Sequence, residues 1–217
     1  DMLISIGLTR YIADQREGRI EAREIDPVLF ESARNVEVDL KALRVEAFAA
    51  SDMKIFLAQQ APTFPQYRAL RNKLAEYRAL AKAGGWPEVD PGKTLKPGMS
   101  DPRLGNVIQR LRVTGELTSN PVDIAFFSPE LEQAVKRFQQ RHNLNDDGYI
   151  GKQTLAAMNV PVEDRIMQIV VNMERYRWMK RDLDGPSVTV NIAAYRAMAG
   201  TPKKNDVSMP VVVGKLR

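Results

Sequence analysis

The sequence contains no cysteine and a single histidine, His142, and this scarcity excludes several chemistries. Without cysteine the chain can form neither a disulfide framework nor a thiolate nucleophile. A zinc site would have to gather scattered carboxylates around one imidazole, and a Ser-His-Asp triad would need the same histidine without a GxSxG-like turn. We therefore expect no metal site, no cofactor and no catalytic residue within these residues.

Long apolar runs and phosphate-binding glycine loops are also missing. No segment approaches the roughly 18 apolar residues of a membrane-spanning helix. The first residues lack the basic and apolar pattern of a signal peptide, so we expect such a peptide to be absent or already removed. The acidic pair Asp146-Asp147 precedes Gly148, and this position favours a turn over a glycosidase dyad.

Charge of one sign is not concentrated anywhere in the chain. The 32 basic and 27 acidic residues give a net charge of +5, but they are interleaved. This pattern favours a mixed, solvated surface. The alternative, a basic helical protein that binds nucleic acid, rests on net charge alone and predicts a steep salt dependence.

Helical periodicity dominates what is present. In the first 83 residues, apolar stripes predict a helix that ends near Gly18, a second near residue 43, a third capped by Asp52 and a fourth between Pro65 and Gly84-Gly85. The stripes are Ile4, Leu8, Tyr11 and Ile12; Val36, Leu40, Leu43, Ala47 and Phe48; Ile55, Phe56 and Leu57; and Tyr67, Leu70, Leu74 and Tyr77.

Residues 84–102 contain four prolines, which exclude a continuous helix and predict a boundary. A second helical region follows. It has a stripe over 104–111 and a second over 131–138, which follows Ser128-Pro129 as N-cap and first helical residue. A turn at 145–148 and a short helix from Lys152 to Met158 come next. Pro161 introduces another helix, with a stripe of Val162, Ile166, Ile169, Val170 and Met173.

The period changes after Asp184-Gly185-Pro186. Alternation at Val188, Val190 and Ile192 predicts one strand, Thr201–Asp206 a polar turn, and Val207–Val213 a second β-rich run. Two strands are marginal alone, so we expect a domain interrupted soon after it begins. The fold class is thus mainly α: a helical scaffold and a three-helix module, with a short incomplete β segment at the C-terminus.

Residues 95–159 resemble the three-helix peptidoglycan-binding module of many bacterial wall enzymes. The similarity lies in Leu95–Gly98, Val107–Leu111, Gly115, Leu131, Ala134–Gln139, His142, Leu144, Asp147–Gly151 and Thr154-Leu155. The loop 118–127 departs from the compact turn usual there. The resemblance implies peptidoglycan as the partner, and we expect a shallow ligand groove flanking the apolar stripe. Its candidate ligand-binding residues are Arg110, Gln139, Asp147, Tyr149 and Lys152.

The flanking segments resemble large, Gram-negative-type L,D-transpeptidases. The similarity lies in Tyr67–Leu70, Tyr77–Ala81, Gly84–Pro87, Asn159–Pro161, Arg165-Ile166, Asn172–Trp178, Val190–Ile192, Ala194–Arg196 and Met209–Lys215. The resemblance implies a scaffold domain over 1–94, the peptidoglycan-binding-like domain over 95–160, a connector helix over 161–185 and the first strands of a truncated catalytic domain over 186–217. Arg175, Tyr176 and Trp178 would join the connector to that domain, with burial expected for Trp178.

In that family a cysteine thiolate transfers an acyl group between peptide stems during cell-wall biogenesis in the periplasm. The cysteine and histidine motifs are expected past Arg217, so the chain itself is expected to be inactive although its parent would be a transferase. The alternative is a non-catalytic peptidoglycan-binding or scaffold protein. A Cys and His motif encoded after Arg217 would distinguish the two.

Overall fold

The computed structural model describes residues 2–28, 30–31, 33, 38–179, 185–192, 195–201 and 204–214. Val36, Asp184, Ala194 and Lys215, to which the sequence interpretation assigned places, lie outside the described residues. The helices of the described part are α1 Met2–Glu17, α2 Ala22–Ile25, α3 Leu40–Ala49, α4 Met53–Gln60, α5 Pro65–Lys82, α6 Leu104–Val113, α7 Pro129–Arg141, α8 Lys152–Met158 and α9 Val162–Trp178.

The chain is mainly helical, with one small antiparallel sheet at its C-terminal end, as predicted. It divides into two compact units. Unit 1 contains the described residues up to Leu74 and those from Ile169 onward, and unit 2 is Ala75–Gln168. The domain limits 1–94, 95–160, 161–185 and 186–217 stay a prediction.

The helix ends follow the capping residues that the sequence supplies. Asp52 accepts a hydrogen bond from the Ile55 amide at 3.0 Å and starts α4. Gly18 has a φ of +95° directly after α1, a conformation that costs glycine little. Ser128 caps α7 and Pro129 occupies its first turn. The predictions for these three helix ends are confirmed.

The apolar stripe of α1 is only partly the predicted one. Ile12 is fully buried, but Ile4 is 73% and Tyr11 50% exposed, while Thr9 and Ala13 are buried instead. The core of this region is formed by Ile12 with Leu43 and Ala47 of α3, and partly buried side chains pack against it: Leu8, Val38, Phe56 and Leu57. Periodicity identified the helix, but its rotation was decided by which face meets α3 and α4.

The last turns of α9 pack within unit 1. The Glu174 carboxylate accepts hydrogen bonds from the backbone amides of Arg19 and Ile20, and it pairs with Arg177 at 2.5 Å. Trp178 is 6% exposed and meets the ring of Phe30 edge-on at 5.1 Å. The expected burial of Trp178 is confirmed.

The sheet has three strands rather than the two predicted. They are β1 Ser187–Asn191, β2 Arg196–Thr201 and β3 Lys204–Pro210, in the order β1-β2-β3. The predicted polar turn at 201–206 is wrong in its limits, because β3 begins at Lys204 and ends at Pro210. The strand β2 escaped prediction because Arg-Ala-Met-Ala-Gly-Thr has little of the β-branched alternation that marks a strand.

The register places the predicted apolar residues of the sheet on one face. Val188 pairs with Ala199, and Ala199 pairs with Val207; Val190 pairs with Ala197, and Ala197 pairs with Met209. The valine and methionine side chains of this row are exposed, with Val188 at 72%, and the two alanines are half-buried.

The core cluster of unit 2 lies among the helices α6, α7 and α8. Its buried members from the helices are Leu104, Val107, Ile108, Leu111, Leu131, Ala134, Val135, Phe138 and Met158. The proline-rich segment also contributes, since Val89 and Leu95 are buried there. Leu95 exchanges two backbone hydrogen bonds with Ile150. The Asn159 side-chain amide accepts a hydrogen bond from the Val89 amide and donates one to the Val89 carbonyl. Although prolines exclude a helix here, the extended chain still supplies core side chains.

Candidate functional site

Gln139, on α7, is the centre of a buried hydrogen-bond network in unit 2. Its Nε2 donates to Asp147 Oδ1 and to the Tyr149 carbonyl, both at 2.9 Å, and contacts Thr154 Oγ1 at 3.1 Å. Its Oε1 accepts from the Gly148 amide at 2.9 Å. Because the side chain is 1% exposed, it holds the 145–149 turn from inside and presents no surface to a ligand.

The Asp147 carboxylate is exposed, but its oxygens accept hydrogen bonds from residues of the same turn. Its Oδ1 accepts from the Tyr149 amide at 2.8 Å, and its Oδ2 accepts from Asn145 Nδ2 at 3.2 Å. The hydrogen bond from the Tyr149 amide, followed by that from Gln139, holds the pKa of Asp147 below its usual value. Asp147 is therefore a fixed anion at neutral pH.

Around this turn lies a surface on which a ligand could rest. The Tyr149 ring is 42% exposed, and Lys96 Nζ lies 5.5 Å from its centroid. Lys152 is exposed at the start of α8, three residues after Tyr149. We call the side chains of Lys96, Asp147, Tyr149 and Lys152 the turn surface. It combines an aromatic face, two ammonium groups and a carboxylate, which suits a ligand with sugar rings and polar substituents.

Arg110, on α6, is buried at 1% exposure away from the Gln139 network. Its Nε donates to the Met158 carbonyl at 2.9 Å and its Nη1 to Thr114 Oγ1 at 2.8 Å. The guanidinium lies 3.9 Å from the centroid of the Trp86 ring, and burial lowers its pKa to about 10. This contact joins the proline-rich segment to α6 and α8.

The structure thus brings three of the five predicted ligand-binding residues into direct contact: Gln139, Asp147 and Tyr149. Lys152 follows them on the surface, whereas Arg110 belongs to a separate buried cluster. Lys96 was not among the predicted residues. The paired backbone of Leu95 and Ile150 brings it beside Tyr149, and no local sequence signal reports such a pairing.

Beside Arg110 the unit gathers several charges around one buried carboxylate. Glu116 is 6% exposed, pairs with Arg141 and accepts a hydrogen bond from Thr114. Arg137 donates twice to the Glu116 carbonyl, at 3.0 and 2.7 Å. The network anchors the segment after α6 to α7.

His142 ends α7 in a cationic environment. Its ring stacks on Phe138 with centroids 4.0 Å apart, and its Nδ1 lies 2.8 Å from the Phe138 carbonyl, so that nitrogen carries the hydrogen. Burial, together with the charges of Arg141, Arg165 and Arg110, lowers the pKa of His142 to about 4. The histidine is therefore neutral at physiological pH and acts as a packing residue.

Neither a metal cluster nor a membrane span emerges from the part of the chain that the structure describes. Those residues contain no group of three or more His, Cys, Asp or Glu side chains placed to hold a metal ion. None of their helices has the length and apolarity needed to cross a membrane.

Two comparisons with protein families bear on this architecture. Residues 102–158, which contain α6, α7, α8 and the Gln139 network, match the family model of the peptidoglycan binding domain. Over these residues the chain is similar to peptidoglycan-binding domains. Residues 1–74 match the family model of the Scaffold domain. No curated protein matches the chain.

The matched helical region agrees with the resemblance inferred from the sequence for 95–159, and it supports peptidoglycan as a partner. The Scaffold match covers the described helices α1 to α4 and the first part of α5. Together the two domains are consistent with a cell-wall-related protein.

The first prediction concerns Gln139. Replacing it by Glu removes the donor for Asp147, Tyr149 and Thr154 and puts a second carboxylate beside Asp147. We expect the free energy of unfolding to fall by about 2–4 kcal/mol, measured by urea denaturation. The matched control is Gln140→Glu, next along the helix, which also faces a carboxylate (Asp146, 2.8 Å) but is exposed. It should change the free energy by less than about 1 kcal/mol. Equal effects at the two positions would contradict the structural role of Gln139.

The second prediction concerns His142 and pH. Because its folded-state pKa of about 4 lies below the value near 6.5 of an unfolded histidine, the unfolded chain takes up the proton first as pH falls. Stability should therefore decrease between about pH 6.5 and 4. Relative to His142→Gln, the wild type should lose on the order of 1 kcal/mol more between pH 7.5 and 4.5, since the ring is only partly buried. Urea titrations at both pH values measure this difference, and identical pH slopes in both proteins would refute it.

Proposed function

We propose that this chain is the peptidoglycan-binding and scaffold portion of an L,D-transpeptidase, an enzyme that cross-links peptide stems of the bacterial cell wall. The observation that supports this most is the linear order: a Scaffold domain, then a peptidoglycan-binding domain, then a helix leading into β-strands. The resemblance of the flanking segments to that family points the same way. A protein of this kind works in the cell envelope, and we propose the periplasm as its compartment.

In this proposal unit 2 holds the wall polymer on the turn surface. The exposed Tyr149 ring offers a flat apolar face for a sugar ring, and its position is set by backbone atoms that Gln139 and Asp147 hold. The ammonium groups of Lys96 and Lys152 can donate hydrogen bonds to sugar hydroxyls or stem carboxylates. Because the backbone is held from inside, the surface is preformed and little conformational entropy is lost on binding.

The chain's own contribution to the reaction is binding and positioning. Acyl transfer of this type needs a thiolate and a histidine beside it, and these 217 residues contain no cysteine. Attachment to the polymer raises the effective concentration of peptide stems around any domain linked to unit 2. We propose that 1–94 acts as scaffold, 95–160 as the binding domain, 161–185 as connector and 186–217 as the start of the catalytic domain.

The third prediction tests binding at the turn surface. Tyr149→Ala should reduce the fraction of the full chain that pellets with purified sacculi by several-fold, because contacts made by an aromatic ring face contribute on the order of 1 kcal/mol or more. The backbone atoms of residue 149 keep their hydrogen bonds in this variant, so the fold should persist. Tyr11→Ala is the matched control, since Tyr11 is 50% exposed on α1. Lys152→Ala should weaken pelleting less than Tyr149→Ala.

Two results would count against this placement. Undiminished pelleting of a folded Tyr149→Ala, Lys152→Ala double variant would mean that the turn surface is not the binding site. Absence of pelleting by the wild type would contradict peptidoglycan binding by the chain.

The fourth prediction tests the transpeptidase assignment. We expect the coding region that contains this chain also to encode a cysteine and a histidine in the motif of that family. Sequencing the region and mass spectrometry of the native protein after carbapenem treatment check this, since the thiolate should form a covalent adduct. A native protein without such a cysteine would favour the alternative, a non-catalytic peptidoglycan-binding or scaffold protein.

A further inference from the structure

Unit 2 contains an open cleft that is distinct from the turn surface in its residues. The cleft has a volume of about 760 Å³ and lies between α6 and the segment that follows it. One wall is the helix face formed by Gly105, Gln109 and Arg112, which are spaced i, i+4 and i+7. Ile108 and Leu117 lie buried at its floor, and Ile124, which is 61% exposed, adds accessible apolar surface. Its size is within the usual range of small-ligand sites.

The charged side chain that lines this cleft is a cation, Arg112, and no carboxylate of the described residues pairs with it. Arg112 is exposed, and its guanidinium makes no hydrogen bond or ion pair within the described residues. No carboxylate lines the cleft, and that of neighbouring Glu116 is held by Arg141 and Thr114. Other arginines of the unit have protein partners: Arg103, Arg110, Arg137, Arg141 and Arg165.

The chemistry of the lining identifies which part of peptidoglycan would fit. The glycan strand presents mainly hydroxyl and acetamido groups, whereas the peptide stem carries free carboxylates between small apolar side chains. A guanidinium binds a carboxylate with two parallel hydrogen bonds. The Gln109 amide and the Thr118 hydroxyl can hydrogen-bond to a peptide backbone, and the apolar wall can contact alanine methyl groups.

We infer that this cleft binds the peptide stem of peptidoglycan, with Arg112 pairing with a stem carboxylate. The inference rests on the proposed peptidoglycan binding and assigns a part of the polymer to a part of the domain. The turn surface then holds the sugar ring, and the cleft on α6 selects strands by their stems.

Gly105 adds an independent way to test the cleft. A Cβ built at Gly105 would have only Ile124 Cδ1 as a neighbour, at 4.0 Å, so a side chain there would project into the cleft without a backbone clash. Since glycine is a poor helix former, Gly105→Leu should fold at least as well as the wild type. The variant fills the cleft while leaving Arg112 in place.

The fifth prediction concerns the binding of a soluble disaccharide-tetrapeptide muropeptide to the full chain, which calorimetry measures. Arg112→Gln should weaken binding about tenfold, because a charge-assisted hydrogen bond is replaced by a neutral one. Gly105→Leu should weaken it to a similar extent. The matched control Arg78→Gln removes an exposed arginine on α5 and should leave binding unchanged. Thermal unfolding of each variant verifies that it is folded.

Two further probes separate the stem from the sugar. With a muropeptide whose stem carboxylates are amidated, wild type and Arg112→Gln should bind equally weakly. With the stem-free disaccharide, Arg112→Gln should make no difference.

The inference is overturned if the wild type binds the muropeptide while Arg112→Gln and Gly105→Leu bind it as well as the wild type does. That result would leave peptidoglycan binding intact and remove only the stem site. A wild type that binds neither muropeptide nor sacculi would overturn both the proposed function and this inference.

Discussion

Unit 2 depends on the hydrogen-bonding requirement of one buried amide. A buried side-chain amide without partners is costly, so the Gln139 side chain confines the 145–149 turn to the one arrangement that satisfies it. The same contacts place Tyr149 at the surface beside Lys96. A buried residue that touches no ligand therefore sets the geometry of the surface proposed to bind one, because its hydrogen bonds end on the backbone from which Tyr149 projects.

A second constraint acts on the charges of the unit. Arg110 is almost fully buried, and its guanidinium is balanced by carbonyl and hydroxyl acceptors and by the face of Trp86. Arg141 pairs with buried Glu116, which leaves little anionic surface in this region. Arg112 is on the same helix as Arg110, one position after the buried Leu111, and its side chain is exposed. That difference in position separates a structural arginine from one available to a carboxylate.

The unequal success of sequence interpretation within the chain has a physical cause. The helices α6, α7 and α8 matched their predicted positions because strong apolar periodicity, a Ser-Pro cap and glycine turns all favour the same structure. In α1 several faces are apolar enough to be buried, and packing against the neighbouring helices buries the face with Thr9, Ile12 and Ala13. The strand β2 lies between β1 and β3 and forms hydrogen bonds with both. This pairing outweighed the weak β propensity of its own residues.

The sequence by itself determined the mainly helical class, the caps of α4 and α7 and the lack of thiolate chemistry, because each depends on residue type or on neighbours a few positions apart. It also placed Asp147 and Gly148 in a turn. Only the tertiary structure decided that Gln139 and Arg110 are buried while Tyr149 and Arg112 are exposed. Those outcomes depend on the pairing of Leu95 with Ile150 and on the packing of Trp86 over α6, contacts between residues far apart in the chain. Periodicity describes one element at a time, whereas burial is a property of the elements packed together.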